Sequence, residues 1–169
     1  MINTLTVNRF PIIVENTLPK KFFIFNLLFT FAYMSQNKAI LLLGTNLGDK
    51  KNNIETAKSL INKEVGVIKK ESNLLENSAE GFTTENLFLN QKIELLTNYS
   101  PFELLQIVKK IEQKMGRVYV QPKENERYVD RLIDIDILFY NSLLIDSKRL
   151  KIPHPQNYTR DFIKSLYFF

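Results

Sequence analysis

Arg131-Leu132-Ile133-Asp134-Ile135-Asp136-Ile137-Leu138-Phe139-Tyr140 is an apolar, β-branched run interrupted by two acids set two residues apart. Such residues suit a pleated, half-buried strand, and alternate strand residues face the same side. Both carboxylates therefore project together, roughly 6 to 7 Å apart at the backbone. That suffices for magnesium, a hard octahedral ion held by one or two carboxylates, with phosphate oxygens and water completing its shell. Arg131 lies three positions before the first acid, and a guanidinium grips phosphate as a bidentate fork. Asp-x-Asp also occurs on solvated strand faces, so spacing alone leaves a metal site and a wet surface both open.

Composition narrows the choice. A chain of 169 residues fits one domain, and 44% hydrophobic residues, with 13 Phe, supply a core. There is no cysteine and a single histidine, which removes disulfides, thiolate zinc, iron-sulfur clusters and cysteine nucleophiles. Any metal is then held by oxygen. The net charge of +5 suits an anionic ligand, but the 23 basic residues are spread without a block, so nucleic acid is permitted and not indicated.

Residues 1–33 differ in character from the rest of the chain. Lys20 and Lys21 precede Phe22 to Tyr33, apolar except for Asn26 and Thr30. This resembles a signal h-region without a small-x-small cleavage site, and it is shorter than the roughly 20 residues of a spanning helix. The expectation is an extension outside the core, with Met34 as an alternative translation start and one domain over 34–169.

From there, Ala39 to Leu43 reads as a buried strand ended by Gly44. Gly44-Thr45-Asn46-Leu47-Gly48-Asp49 turns into a helix whose apolar face carries Ile54, Ala57 and Ile61. The turn lacks the Gly-Lys-Ser/Thr of a P-loop, so phosphates must be gripped by side chains. A second strand is expected from Gly66 to about Leu75, then a polar loop over Glu76 to Asn86. Phe88 to Thr97 alternates, with Phe88, Asn90, Lys92 and Glu94 on one face; an Asn there reads as solvated. Ser100-Pro101-Phe102-Glu103 is a capping box with proline at N1, opening a helix with Leu104, Val108, Ile111 and Met115 on its apolar face, ended by Gly116. Arg117 to Arg131 is polar and aperiodic, the length of a binding loop or lid. After the opening strand, Asn141-Ser142 turns the chain so that Leu143 to Ile145 pairs back as a hairpin. Arg149 to Pro155 is extended by its prolines, and a short helical tail begins at Arg160-Asp161-Phe162-Ile163.

Four segments in this order resemble the 6-hydroxymethyl-7,8-dihydropterin pyrophosphokinase family: Gly44 to Asp49; Phe88-Leu89-Asn90; Ile111-Glu112 with Gly116-Arg117; and Arg131-x-x-Asp134-x-Asp136 followed by Ile152-Pro153-His154-Pro155. Each motif is weak alone; together they cover about residues 38–162. The resemblance implies a ferredoxin-like α+β domain, an antiparallel-rich sheet with packed helices, and a cytoplasmic, monomeric enzyme without nucleic-acid or membrane partners. It would transfer diphosphate from ATP to the pterin alcohol and release AMP. By the same resemblance Asp134 and Asp136 bind two magnesium ions. Arg117, Arg131 and His154 act on the phosphates, while Arg149, Lys151 and Arg160 approach the nucleotide. Asn90 reads the pterin edge, Phe88 and Phe162 sandwich the ring, and Gly44, Thr45 and Asn46 line the pocket through backbone.

Each residue also has a plainer reading: Phe88 and Phe162 as core aromatics, His154 as a turn residue between prolines, Arg117 as a complement to a helix dipole, and Glu112, which could support the phosphate arginines, as equally a solvated helix acid. The chain departs from the family at Val129-Asp130, where Gly-Pro is common, at Tyr128 for a frequent tryptophan, and at Tyr119 for a second arginine. Asn77-Ser78-Ala79-Glu80 replaces Thr-x-Pro, and relatives usually continue further beyond Phe162. A lowered affinity is expected. Rival readings are a non-catalytic pterin- or nucleotide-binding relative, a nucleotidyltransferase, whose Gly-Ser should lie about ten residues before the acids, and a ferredoxin-like RNA-binding module, whose aromatic signature is missing.

Overall fold

The computed structural model describes residues 36–78, 86–117 and 130–168. Expectations for residues 1–33, Ala79, Glu80, Gly81, Tyr119, Tyr128, Val129 and the body of the 117–131 loop lie outside the described residues.

β1 (Asn37–Thr45) leads through the Asp49 N-cap, whose carboxylate accepts the Asn52 N–H, into α1 (Lys50–Glu64). β2 (Gly66–Glu71), β3 (Leu75–Asn77) and β4 (Phe88–Thr97) come next. α2 (Pro101–Lys114) begins at the capping box: the Ser100 N–H donates to Glu103 Oε2 at 2.8 Å, and Ser100 Oγ accepts from the Glu103 N–H. Such a cap contributes about 1 kcal/mol. β5 (Asp134–Tyr140), β6 (Ile145–Asp146), β7 (Lys151–Ile152) and two single-turn helices, α3 (Gln156–Thr159) and α4 (Asp161–Lys164), complete the chain.

The strands lie in the order β2-β4-β1-β5, with β3 also on β4, and every neighbouring pair is antiparallel. Strand-helix-strand, strand-helix-strand with the two halves interleaved is the ferredoxin-like α+β arrangement. β1 has apolar residues on both faces because both faces are covered. Leu41 and Leu43 meet Ile54, Ala57 and Ile61 of α1 and Leu104, Val108 and Ile111 of α2 in one cluster. Burying each leucine, isoleucine or valine of this cluster is worth about 1.5 to 3 kcal/mol. On the other face, Leu42 and Leu138 pack with Ile163 and Leu166 of the tail. A bulge opposite Ile40 and Leu41 also brings Phe139 to this face.

Three expectations need correction. The second strand ends at Glu71 rather than Leu75, and Glu76 and Asn77 are not loop: Leu75–Asn77 pairs with Asn90, Leu89 and Phe88. Lys69, Lys70 and Glu71 of β2 hid this break. The hairpin is also different. After the turn at Asn141, with φ of 46°, Leu143 and Leu144 run exposed, and Ile145–Asp146 pairs with Lys151–Ile152 instead of β5. The edge of β5 is taken at Leu138, whose carbonyl accepts the His154 N–H at 2.9 Å and Asn157 Nδ2 at 3.1 Å. Among the described residues no helix is long and apolar enough to cross a membrane.

Candidate active site

Strand register assembles the site. Gly44 on central β1 stands opposite Asn90 on one side and Asp134 on the other, and Leu42 stands opposite Lys92 and Asp136. An amide, a glycine and a carboxylate thus form one cross-strand row, with strands about 4.8 Å apart. Gly44 leaves room there: a Cβ would lie 3.0 Å from Asn90 Oδ1, which would have to shift, and 3.9 Å from the Phe88 ring.

Above this row is a cavity lined by Gly44, Phe88, Asn90, Asp134, Asp136 and Phe162, with Arg131 and Arg160 at its wall. Asn90 is buried, against the solvated reading of its alternation. Its Nδ2 donates to Asn77 Oδ1 at 2.6 Å, so Asn77, which with Ser78 also lines the cavity, sets the direction of the Asn90 amide. Sequence reasoning placed Asn77 only as a departure from the usual loop; its pairing through β3 was invisible without the register. Phe88 and Phe162 are half-buried at the cavity, which decides against a purely core role. Thr45 and Asn46 are buried but engaged elsewhere: Thr45 Oγ1 accepts from Asn53 Nδ2, and the Asn46 side chain faces Asp130 and the Arg131 backbone.

A second cavity adjoins at Asp136. Arg149, Lys151 and His154 line it, with Lys109 and Leu105 from α2, which the sequence had not flagged. Lys151 also pairs with Asp146 at 2.9 Å, and His154 Nδ1 accepts from the Gln156 N–H at 3.4 Å. Arg160 lines the aromatic cavity, as Arg131 does, and not the basic one.

Charges converge between the cavities. Asp134 is bonded by Arg117 and, at 2.9 Å, by Arg131, whose guanidinium lies 5.6 Å from the Phe88 ring centre. Burial pushes the Asp134 carboxyl up, but the Arg131 and Arg117 charges prevail and hold it below the usual range. Asp136 is pushed up, first by burial and then by the Asp134 charge. Glu112 is fully buried, so the solvated reading fails. It binds Arg117 at 2.9 Å and Lys109, and burial outweighs both cations to raise its carboxyl to about 7. Arg117, placed at the end of α2 by Gly116 with φ of 95°, is therefore held by two carboxylates and is more than a dipole complement.

A close acidic pair that raises one member is relieved by a cation, and Asp134 and Asp136 suit an oxygen-ligated ion such as magnesium. Among the described residues no group of three or more His, Cys, Asp or Glu forms a complete protein cage, so other oxygens must finish such a shell.

Comparison with known proteins points to one family. The HPPK family, 7,8-dihydro-6-hydroxymethylpterin-pyrophosphokinase, matches residues 40–167. The chain is 34% identical over 128 residues to the 2-amino-4-hydroxy-6-hydroxymethyldihydropteridine pyrophosphokinase of Bacillus subtilis, covering 75% of this chain and 74% of that protein. It is 40% identical over 120 residues to the protein of the same name from Aquifex aeolicus, 71% of each chain. A crystal structure of Plasmodium falciparum HPPK-DHPS shares the fold at a TM-score of 0.56 and 20% identity, over 78% of this chain and 34% of that one. Matched over most of its length by this family and by two like-named relatives, the chain belongs to the 7,8-dihydro-6-hydroxymethylpterin-pyrophosphokinase family.

Proposed function

We propose that this chain transfers diphosphate from ATP to 6-hydroxymethyl-7,8-dihydropterin, releasing AMP in a step of folate biosynthesis. The supporting observation is the junction at Asp136 of an aromatic, amide-bearing cavity with a basic one. A flat heterocycle with a donor-acceptor edge suits the first, and a polyphosphate suits the second.

In this reading the pterin ring stacks between Phe88 and Phe162, and its edge meets the buried Asn90 amide over the gap left by Gly44. Arg149, Lys151 and His154 hold the nucleotide phosphates, and Arg117 and Arg131 extend from Asp134 towards them. The hydroxymethyl oxygen forms a bond to the β-phosphorus while the bond from that phosphorus to the α,β-bridging oxygen breaks. The hydroxyl proton passes to solvent water, and AMP leaves with the bridging oxygen. Such transfers depend on positioning and charge stabilisation more than on covalent help. Arginines that tighten as charge moves onto the bridging oxygen lower the barrier directly. Two magnesium ions held by Asp134 and Asp136 would neutralise phosphate charge and acidify the bound hydroxyl. All these groups come from one chain, so a monomer suffices.

The test is incubation with ATP, magnesium and the reduced hydroxymethyl pterin. AMP and pterin diphosphate should appear in equal amounts; ADP, or no nucleotide consumption, overturns the proposal. Saturable pterin binding without AMP would favour the non-catalytic reading. An RNA-binding sheet is disfavoured by the tail residues Ile163 and Leu166 packed on the face where bases would stack.

A further inference from the structure

We propose that Asp130 is a positioning residue that sets Arg131 in the site by clamping two separate segments. Its Oδ1 accepts from Asn46 Nδ2 at 2.5 Å, and its Oδ2 accepts from Asn86 Nδ2 at 2.7 Å. Asn46 directly follows β1, and Asn86 lies two residues before β4. One carboxylate thus ties the approach to β5 to the active-site ends of both strands that carry the central row.

The chemistry of the three side chains makes the arrangement directional. An ionised carboxylate only accepts hydrogen bonds, so each amide must turn its NH2 towards Asp130. For Asn46 this leaves Oδ1 facing the other way, where it accepts the Arg131 N–H at 2.8 Å. The Asn46 N–H in turn donates to the Arg131 carbonyl at 3.2 Å. Arg131 is therefore gripped on both backbone groups by a residue whose amide orientation is decided by Asp130. The Arg131 guanidinium then reaches Asp134 and the face of Phe88. A side chain with four rotatable bonds is aimed chiefly by fixing its own backbone, and that is what the clamp does. Asn46 is nearly fully buried, so its amide has no ready substitute partner in water.

The functional part of this inference rests on the proposed transfer reaction, in which Arg131 binds ATP phosphate. Charge-assisted hydrogen bonds are worth enough that loss of the clamp should weaken nucleotide binding about ten-fold. Asp130→Ala should raise KM for ATP by about that factor and lower kcat as well, because the Arg131 it positions also acts in the transition state. Asp130→Asn, which must turn one donor towards an amide donor, should fall between. Asn86→Ala should raise the same KM, and Asp130→Ala combined with Asn86→Ala should be no worse than Asp130→Ala alone, because both remove one device. Amide hydrogen exchange gives a reading independent of turnover. In Asp130→Ala the Arg131 and Asn46 amides should exchange at least ~10-fold faster, with the Leu43 and Ile135 amides unchanged. Unchanged exchange at Arg131 and Asn46 overturns the clamp whatever the enzyme does. An inactive wild type that still shows the exchange difference retains the clamp and removes the reaction. An active wild type whose Asp130→Ala and Asp130→Asn variants keep the parental KM overturns the role in positioning.

Discussion

Glu112 Oε1, buried on α2, accepts the Ile135 backbone N–H of β5 at 2.6 Å, directly between the two site aspartates. The same carboxylate holds Arg117, so a single acid couples the helix, the strand and a guanidinium that also pairs with Asp134.

This coupling has a pH signature. The Glu112 carboxyl is pushed by burial up to about 7, from an ordinary 4.5. Below about 4.5 folded and unfolded chains both hold the proton, and the contribution to stability is fully present. As pH rises towards 7 the unfolded chain ionises while the folded one resists, and the contribution is lost, up to about 3 kcal/mol. Urea denaturation at pH 5 and pH 8 should show the parent losing about 2 to 3 kcal/mol more than Glu112→Gln over that interval. Equal losses would remove the assignment.

Asp134 is the other node of the network. Asp134→Asn keeps the shape but weakens both arginine contacts and one candidate metal ligand. Turnover measured by AMP release should fall at least ~100-fold, and chelation with EDTA should abolish it in the parent. Turnover unchanged in Asp134→Asn would mean that the metal lies elsewhere.

Gly44→Ala tests the row itself. The new Cβ would press on Asn90 Oδ1 at 3.0 Å while leaving the helix-side core untouched. KM for the pterin should rise about ten-fold, a loss of one good polar contact, with KM for ATP little changed. A matching rise in both would point to general distortion of the sheet.

Gly66→Ala should behave in the opposite way. A Cβ there would sit 2.1 Å from the Leu96 carbonyl oxygen, a backbone atom that cannot step aside. The variant should lose about 3 kcal/mol in denaturant, with kinetic constants of the remaining folded enzyme near the parental values.

Much of this architecture was legible in the sequence, because local rules and tertiary packing agree there. The Ser100 to Glu103 cap, the alternation of Phe88 to Thr97 and the apolar face of α1 all meet matching partners. What escaped depends on partners distant in the chain. Leu75–Asn77 is too short to show a period and becomes a strand only beside β4. Leu143 and Leu144 suggested a returning strand by hydrophobicity, but the edge they would need is held by His154 and Asn157. The aspartate pair was readable as a shared strand face, whereas the burial of Glu112 and the grip on Asn90 by Asn77 depend on register alone. Asp130 looked like a lost proline; its two amide partners lie 84 and 44 residues away.

β1 is the middle strand of the site, yet its two neighbours in the row arrive late, Asn90 on β4 and Asp134 on β5, with Phe162 later still. A growing chain emerging from the ribosome can therefore form its helix-backed half early, but the aromatic cavity has no third wall until nearly all of residues 36–168 have been made. Substrate should accordingly rescue completed chains from misfolding and do nothing for nascent ones.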